Sequence, residues 1–594
     1  MAGSRPLVSL VLLAFAMPCM AQRPMDVRVL DSASGAPLPY ASVVSAGRAH
    51  GGALIANEEG VFRLPPAMAA DTVAVSYLGY RTARFPAAAL AALPVVRLEP
   101  LATELRAVEV RGRSDALYNL LVRAGKNIRR IAPYEARTYF ELRSHSEGLP
   151  MEAIECFYNG HFAGGNIEGL DLKQGRIGLL PHQGRYVSNL NTSRAFMLLH
   201  PAERNSAFPA SPLQYTSAAK LRGHYGLQLV SVARGPQVLY RIAFTPKDSS
   251  GAFFGGEVWV DSASAEVQRL LLQCRDCRKH PFQPVWPDAV LHRLDLDHSL
   301  TFARWNGHQI LATAEMDYSV TFRNTGAGDS LAAARPAGYK RDRTMQSKGI
   351  LHAYAPGSRF LLPYFNYDKD QTDYWKILAM PYDSMFWDAA PTLVRTPGQQ
   401  QDQALFAAQG LLAGYGLPGL PGRELPLFGS SYAVWSAHRR IRIKDLQPGT
   451  GARPPQPAPG FGDAQPFRPV VQLYLNVDSG AHALRIFSAT VFDGFRSRFE
   501  GTGPQDNLAL NIYFDLCEIE RRKMQAALER PGITLEQVTL AHDKAELNMK
   551  RTGFRFLDDL RSPQAQEKLA GWNQLILAEL GVDNCRLFGI TTGK

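Results

Sequence analysis

The sequence predicts a mainly β protein with helices gathered at its C-terminal end. It comprises an N-terminal β-sandwich, a large central antiparallel sheet and a final α+β domain. Three observations carry this reading. Between residues 26 and 100, short apolar stretches are cut by turn residues at about every 8–12 positions, the spacing of a sandwich. From Thr138 to Thr325, longer segments alternate apolar and polar side chains with the period of strands. After residue 500 the apolar period lengthens to that of helices.

Bulk properties agree. At 594 residues the chain is too long for one core, and 46% hydrophobic with 20% charged residues is a globular composition. Glycine (50) and proline (40) exceed the usual share of about 12%, as a turn-rich β protein requires. The net charge of +11 suits an anionic membrane surface as partner. It is spread along the chain rather than held in a basic arm, so no nucleic acid is expected.

Residues 1–21 form a signal peptide: Arg5, the apolar run Leu7–Met17, then small residues to Ala21, with cleavage before Gln22. The run is too short to span a bilayer, and Met17-Pro18 before Cys19 is a poor lipidation context. No later segment offers about 18 uninterrupted apolar residues. The chain is therefore expected to be exported, in the periplasm or associated with the outer membrane. Cleavage leaves Cys156, Cys274, Cys277, Cys517 and Cys585, an odd set that cannot all pair internally.

Residues 22–112 carry the sandwich, with strands at Val27–Leu30, Ala41–Val44, Val61–Leu64, Thr72–Tyr77 and Val95–Leu98. The turns between them include Asp31–Gly35 and Asn57–Gly60. Asp31…Gly35…Pro37-Leu38-Pro39-Tyr40-Ala41-Ser42-Val43, Glu59-Gly60-Val61-Phe62 and Val75-Ser76-Tyr77-Leu78-Gly79-Tyr80 together resemble the carboxypeptidase-regulatory-like (transthyretin-like) domain. That resemblance implies an exported protein of the Bacteroidetes type. Leu105–Gly112 is similar to the segment that joins this module to a TonB-dependent receptor plug, but no series of strands for a large barrel follows.

Residues 113–446 begin with a helix, Ser114 capping Leu117, Leu121, Ala124, Ile128 and Ile131 at helical spacing. Strands follow at Tyr139–Leu142, Ala153–Tyr158, Leu227–Val232, Val238–Phe244, Glu257–Val260, Val267–Leu272 and Met316–Phe322. The hairpin Phe254-Gly255-Gly256-Glu257-Val258-Trp259-Val260-Asp261, turning over Ser262–Ala265, resembles one in lipoprotein-carrier half-barrels. That likeness implies a half-barrel form for the central sheet. The wider block, from Ala116–Arg130 to Asp383…Phe386-Trp387, resembles uncharacterised exported proteins that carry the same N-terminal module. Gln409–Gly429, rich in Gly, Pro and Leu, is expected to be a loop wrapped on a buried edge.

Residues 447–466 have a linker composition, and 467–594 are the α+β domain. Its strands are Val470–Val477 and Leu484–Phe492, and its helices Leu508–Leu528, Leu535–Leu560 and Pro563–Leu580. Thr534 and Gln537 form a capping box, while Ser562, Pro563 and Gly581 bound the last helix.

Five groups of residues invite chemistry. Cys274, Cys277 and His280 have zinc or dithiol spacing, but no second ligand pair follows and the motif ends a strand. A disulfide or inert thiols is the favoured reading, with metal and redox sites as alternatives. Gly414-Tyr415-Gly416-Leu417-Pro418-Gly419 matches a dinucleotide fingerprint, yet Pro418 and Pro421 forbid the helix that would bind a pyrophosphate. His200 and Glu203 share the spacing of the metallocarboxypeptidase zinc pair, without a third ligand in context. Asp515, Glu518 and Arg522 share a helix face, read as solvated with a Glu518–Arg522 ion pair rather than as an acid–base pair. Arg335, Lys340, Arg341, Arg343 and Lys348 form a basic stretch, read either as a solvated loop or as facing anionic lipid headgroups.

No catalytic or cofactor-binding residue is assigned, and no cofactor is expected. The expected function is non-catalytic: an envelope binding or scaffold protein for another envelope protein or an apolar ligand. A lipid carrier built on the central sheet and a metal-dependent, carboxypeptidase-like hydrolase are the alternatives.

Overall fold

The computed structural model describes residues 25–590 except 46–53, 66–67, 69–70, 102, 105–113, 182–190, 205, 236, 285–288, 325–341, 368–370, 416–431, 447–466, 480–482 and 495. The expected signal peptide, the 105–112 segment and the 447–466 linker lie outside the described residues. The chain divides into two units: Met1–Thr103 with Ala233–Gly235 and Pro391–Gly398, and the remainder.

The first unit is a two-sheet sandwich. Its strands are β1 (Met25–Asp31), β2 (Ser42–Ser45), β3 (Leu54–Ile55), β4 (Val61–Leu64), β5 (Thr72–Ser76), β6 (Ala83–Pro86) and β7 (Val95–Leu98). A short helix, α1 (Ala87–Ala92), precedes the last strand. The sheets are β4-β1-β7 and β3-β2-β5-β6. Alternate residues Val27, Val29, Phe62, Val96 and Leu98 share one core with Val43, Val73 and Val75, the period-two burial of a half-covered sheet. The turn at 57–60 is built by its side chains. Asn57 Oδ1 accepts from the Glu59 and Val61 amides at 2.9 and 2.8 Å. Gly60 has φ +73°, and a Cβ there would stand 2.6 Å from the Val29 carbonyl oxygen, so only glycine fits.

In the second unit, β8 (Thr103–Glu104) and α2 (Ser114–Arg129) lead into β9 (Tyr134–Ser146), β10 (Leu149–Ala163) and β11 (Asn166–Leu179). Helices α3 (Asn191–Leu198) and α4 (Ala218–His224) follow, then a meander of β12 (Tyr225–Arg234), β13 (Val238–Pro246), β14 (Gly255–Asp261), β15 (Val267–Cys274), β16 (Ala289–Trp305), β17 (His308–Asn324) and β18 (Asp342–Pro356). Helices α5 (Asp373–Ala379), α6 (Ser384–Ala389) and α7 (Pro397–Gln409) precede a short edge strand, β19 (Leu411–Ala413). The twelve-stranded sheet runs β19-β11-β10-β9-β18-β17-β16-β15-β14-β13-β12-β8 and is not closed into a barrel.

The last part holds β20 (Tyr432–Val434), β21 (Phe467–Arg468), β22 (Val471–Ser479), β23 (Leu484–Asp493) and β24 (Arg498–Phe499). Four helices close it: α8 (Pro504–Leu528), α9 (Leu535–Leu560), α10 (Ala565–Leu580) and α11 (Asn584–Leu587). The mainly β class with C-terminal helices is therefore present. Among the described residues no helix is long and apolar enough to cross a membrane.

Three local expectations change. Arg343 and Lys348 lie in β18, and Arg343 is buried, so it does not face lipid headgroups; Arg335, Lys340 and Arg341 are outside the described residues. Leu411–Ala413, expected as loop, adds a strand to the edge at β11. Ser562 closes a helix instead of opening one: its hydroxyl donates to the Asp559 carbonyl at 2.8 Å, and α10 starts at Ala565. The Thr534–Gln537 capping box and the left-handed Gly581 cap are both present.

Candidate functional site

Alternation gives the central sheet two unlike faces. Phe140, Leu142, Ile154, Tyr158, Leu270, Leu272, Leu296, Leu300, Met316 and Leu351 belong to one apolar cluster. The residues between them put charges and hydroxyls on the other face.

Chain connectivity explains what covers the apolar face. β11 and β12 lie nine strand intervals apart, roughly 43 Å at the usual interstrand spacing. The connection must cross the sheet, and α3 and α4 ride on it. Ala195, Phe196 and Leu199 from around α3, Leu213, and Leu221 of α4 join the apolar cluster, beside Leu117, Leu121, Ala124 and Ile128 of α2.

Side chains of α2 fasten this roof to backbone carbonyls. Tyr118 donates to the Tyr225 carbonyl at 3.0 Å and Arg123 to that of Ala263 at 2.7 Å. Arg129 donates to the Ala202 and Leu213 carbonyls at 2.8 and 3.0 Å. Gly125 lets the Pro212–Gln214 turn lie on α2, since a Cβ would stand 2.0 Å from the Leu213 oxygen. Gly125→Ala is therefore expected to destabilise the second unit by about 1–3 kcal/mol, despite alanine's better helix propensity. The measurement is the urea midpoint followed by tryptophan fluorescence; an unchanged or raised midpoint would contradict the close approach.

His298 sits in the apolar stretch of this face, away from its buried polar side chains Ser144, Glu152 and Ser347, which hydrogen-bond among themselves. The run Leu294, Leu296, His298, Leu300, Phe302 puts His298 in line with aliphatic and aromatic neighbours. It is paired with Leu272 on one side and Met316 on the other. The Phe196 ring of α3 lies 5.8 Å from the imidazole and packs edge-on against Phe140 at 6.1 Å. His298 is 2% exposed, and neither ring nitrogen makes a hydrogen bond of good geometry. Burial pushes its pKa down to about 3, opposed by a loose backbone contact with Glu315. Sequence reasoning missed this residue, although its place in the alternation was the available signal.

The opposite face is tied to the C-terminal part over β9–β11. The Tyr139 hydroxyl donates between Glu141 and Glu155, at 2.8 and 3.1 Å. Arg143 stands 2.8 Å from Glu141, and Arg176 pairs with Glu155. The Arg176 guanidinium also lies 4.1 Å from the Trp387 ring and 4.9 Å from that of Tyr415. Beside them the Lys173 ammonium, fully buried, donates to the Leu361 and Val477 carbonyls at 2.5 and 3.1 Å and pairs with Asp478 at 3.1 Å. Every charge in this seam has a partner, as a structural interface requires.

The residues singled out in the sequence do not converge. Cys274 and Cys277 are free buried thiols. Their mutual hydrogen bond lowers the Cys274 pKa and raises that of Cys277. His280 lies instead beside Phe282, ring centres 6.1 Å apart. Among the described residues no group of three His, Cys, Asp or Glu could hold a metal ion.

His200 Nδ1 meets Glu203 at 3.3 Å, while its Nε2 bonds the Met197 carbonyl at 2.7 Å and Glu203 accepts from Asn166. The pair thus fixes a turn. Gly414 follows the edge strand with φ +74°, and Gly416 and Gly419 are outside the described residues.

Asp515 and Glu518 are buried rather than solvated, each with its own partners. Arg440, Trp435 and Asn584 hold Asp515, and Thr490, Arg521 and Arg522 hold Glu518. Burial pushes the Glu518 carboxyl up, but Arg521 and the other donors outweigh it and hold the pKa below its ordinary value.

All five cysteines from Cys156 onward are buried and free. Maleimide is accordingly expected to label none of them in the native protein and all of them in urea, read by intact mass. Rapid native labelling at Cys274 would show a reactive thiol.

No protein-family model matches the sequence, and no curated protein matches it at a significant level. Solved structures give distant likenesses. A LolA superfamily protein from Nitrosomonas europaea is 12% identical over 41% of this chain and 93% of its own, with TM-score 0.17. A DUF1329 family protein from Desulfovibrio piger is 11% identical over 44% of this chain and 96% of its own, TM-score 0.17. An outer membrane lipoprotein-sorting protein domain from Vibrio parahaemolyticus is 12% identical over 39% and 90%, TM-score 0.17. Likeness at such scores assigns neither a fold family nor a ligand.

Proposed function

We propose that this is a non-catalytic, exported binding protein of the cell envelope, and that its second unit takes an apolar ligand between the α2–α4 roof and the apolar face of the sheet. The observation that carries the reading is His298, a buried imidazole among aliphatic and aromatic neighbours with no well-formed hydrogen bond, beside Phe196. A side chain chosen for packing alone would be aliphatic, because an unsatisfied buried polar group costs about 1–3 kcal/mol. An acyl chain lying on the sheet, its hydrogen-bonding end at His298, would satisfy the imidazole and keep the rest of the contact apolar.

Entry requires α3 to move, and α3 spans only eight residues. Local opening of so short an element costs far less than global unfolding. The regulatory-like first unit would then serve as a docking module. The hydrolase alternative lacks support: Cys274–Cys277 and His200–Glu203 meet only as pairs, and among the described residues no group of three His, Cys, Asp or Glu could hold a metal ion.

The test is an organic extract of the purified full chain, analysed by mass spectrometry, together with displacement of a fluorescent fatty acid. Co-purified lipid and saturable displacement are expected, with probe affinity weakened about fivefold or more by His298→Leu. A lipid-free extract with no probe binding would reject the proposal.

A further inference from the structure

The outer side of α9 presents a column of large apolar side chains to solvent. Leu540, Leu547 and Phe554 follow one another at seven-residue steps and are 62, 47 and 69% exposed. They span about 21 Å of helix. The other side of α9 is committed to the core through Val538, Ala545, Met549 and Phe556, so the column is not left over from poor amphipathicity.

Its charged border is uneven. At 100° per residue, Arg551, Lys544 and Arg555 fall about 20–60° to one side of Leu540, and all three are exposed. Asp543 and Lys550 lie on the other side, with Glu536 and Asp558 toward the ends.

We propose that this face of α9 docks on an anionic lipid surface, the column dipping into the headgroup boundary while Lys544, Arg551 and Arg555 reach phosphate groups. Two features favour a bilayer over another helix. A helical partner needs apolar residues at both seam positions of each heptad. Here the positions three and four residues after Leu540 and Leu547 are Asp543, Lys544, Lys550 and Arg551, which such a seam would bury. A bilayer interface accepts a single apolar column, because long cationic side chains extend their charge outward along it. The same border disfavours an antiparallel second copy of this chain, since pairing two α9 helices that way would set the basic flanks against each other.

The experiment is co-sedimentation of the full chain with vesicles of equal parts phosphatidylglycerol and phosphatidylcholine, and with phosphatidylcholine alone. Binding is expected to the anionic vesicles only, and to weaken in about 0.5 M salt. Leu547→Ser/Phe554→Ser and Lys544→Glu/Arg551→Glu should each reduce it about tenfold or more. Because the substituted residues are exposed, the unfolding midpoint should stay put, which separates lost docking from lost folding. Equal binding to both vesicle types, or binding indifferent to both double substitutions, would overturn the proposal. So would a solution dimer that the serine variant dissolves in the absence of any vesicle binding. None of these outcomes depends on whether a ligand occupies the central sheet.

Discussion

Acidification from pH 7 to pH 4 is expected to cost the second unit about 3 kcal/mol through His298 alone. The folded imidazole binds a proton only near pH 3, whereas an unfolded histidine does so near 6.5. Between those values the unfolded chain holds more protons, so stability falls as pH drops below about 6.5 and keeps falling until the folded state protonates. Carboxylates add to the slope at the lower end: Glu518, held below its ordinary pKa, loses its contribution in acid. Glu315 acts the other way, because burial raises its pKa and its protonation favours the folded state.

His298→Leu isolates the histidine. Its urea midpoint should exceed that of the parent at pH 5 by more than at pH 7. All seven tryptophans fall in the second unit, so their fluorescence reports that unit without the sandwich. Parallel pH profiles for the two proteins would show that His298 is protonated or satisfied in the folded state.

Asp478→Ala should be the most damaging change in the seam, at about 3–5 kcal/mol. It leaves the Lys173 ammonium fully buried with two carbonyls and no ion-paired carboxylate, Asp383 acting only from a distance. Desolvation already lowers the lysine pKa, and Asp478 is the first of the groups opposing that. Replacing both partners, as Lys173→Met/Asp478→Leu, should recover most of the loss, because an apolar pair of similar volume needs no compensation. The coupling in this double-mutant cycle should exceed about 2 kcal/mol. Additive effects would mean that water reaches the lysine.

Most features set by neighbours in the chain were legible in the sequence, the Ser562 cap excepted. The Asn57–Gly60 turn, the Thr534–Gln537 box and the Gly581 cap depend on residues within a few positions of one another, and all stand as read. Features set by distant partners were not. Asp515 looked solvated because carboxylates usually are; its ligands Arg440 and Asn584 lie 75 and 69 residues away. β18 escaped notice because buried Arg343 and Ser347 occupy inward positions and erase the apolar alternation. Ser347 is satisfied there by Ser144 at 2.7 Å, across 203 residues of sequence. On the apolar face, the alternation of Leu294, Leu296, His298 and Leu300 stands in the sequence, but the poor hydrogen bonding of His298 is a property of its three-dimensional surroundings.

The strand order also dictates a history. β9, β10 and β11 are neighbours in sequence and in the sheet, as are β12 to β18, so each meander can zip from local hairpins. What joins them is one ladder, β9 against β18, where Leu142 meets Gly349. Nothing can complete that ladder until more than 200 further residues have emerged. Until then two apolar half-sheets must wait with open edges, a state prone to aggregation. Closing this late, non-local ladder is expected to be the slow step of folding, and the stage at which a newly made chain most needs help.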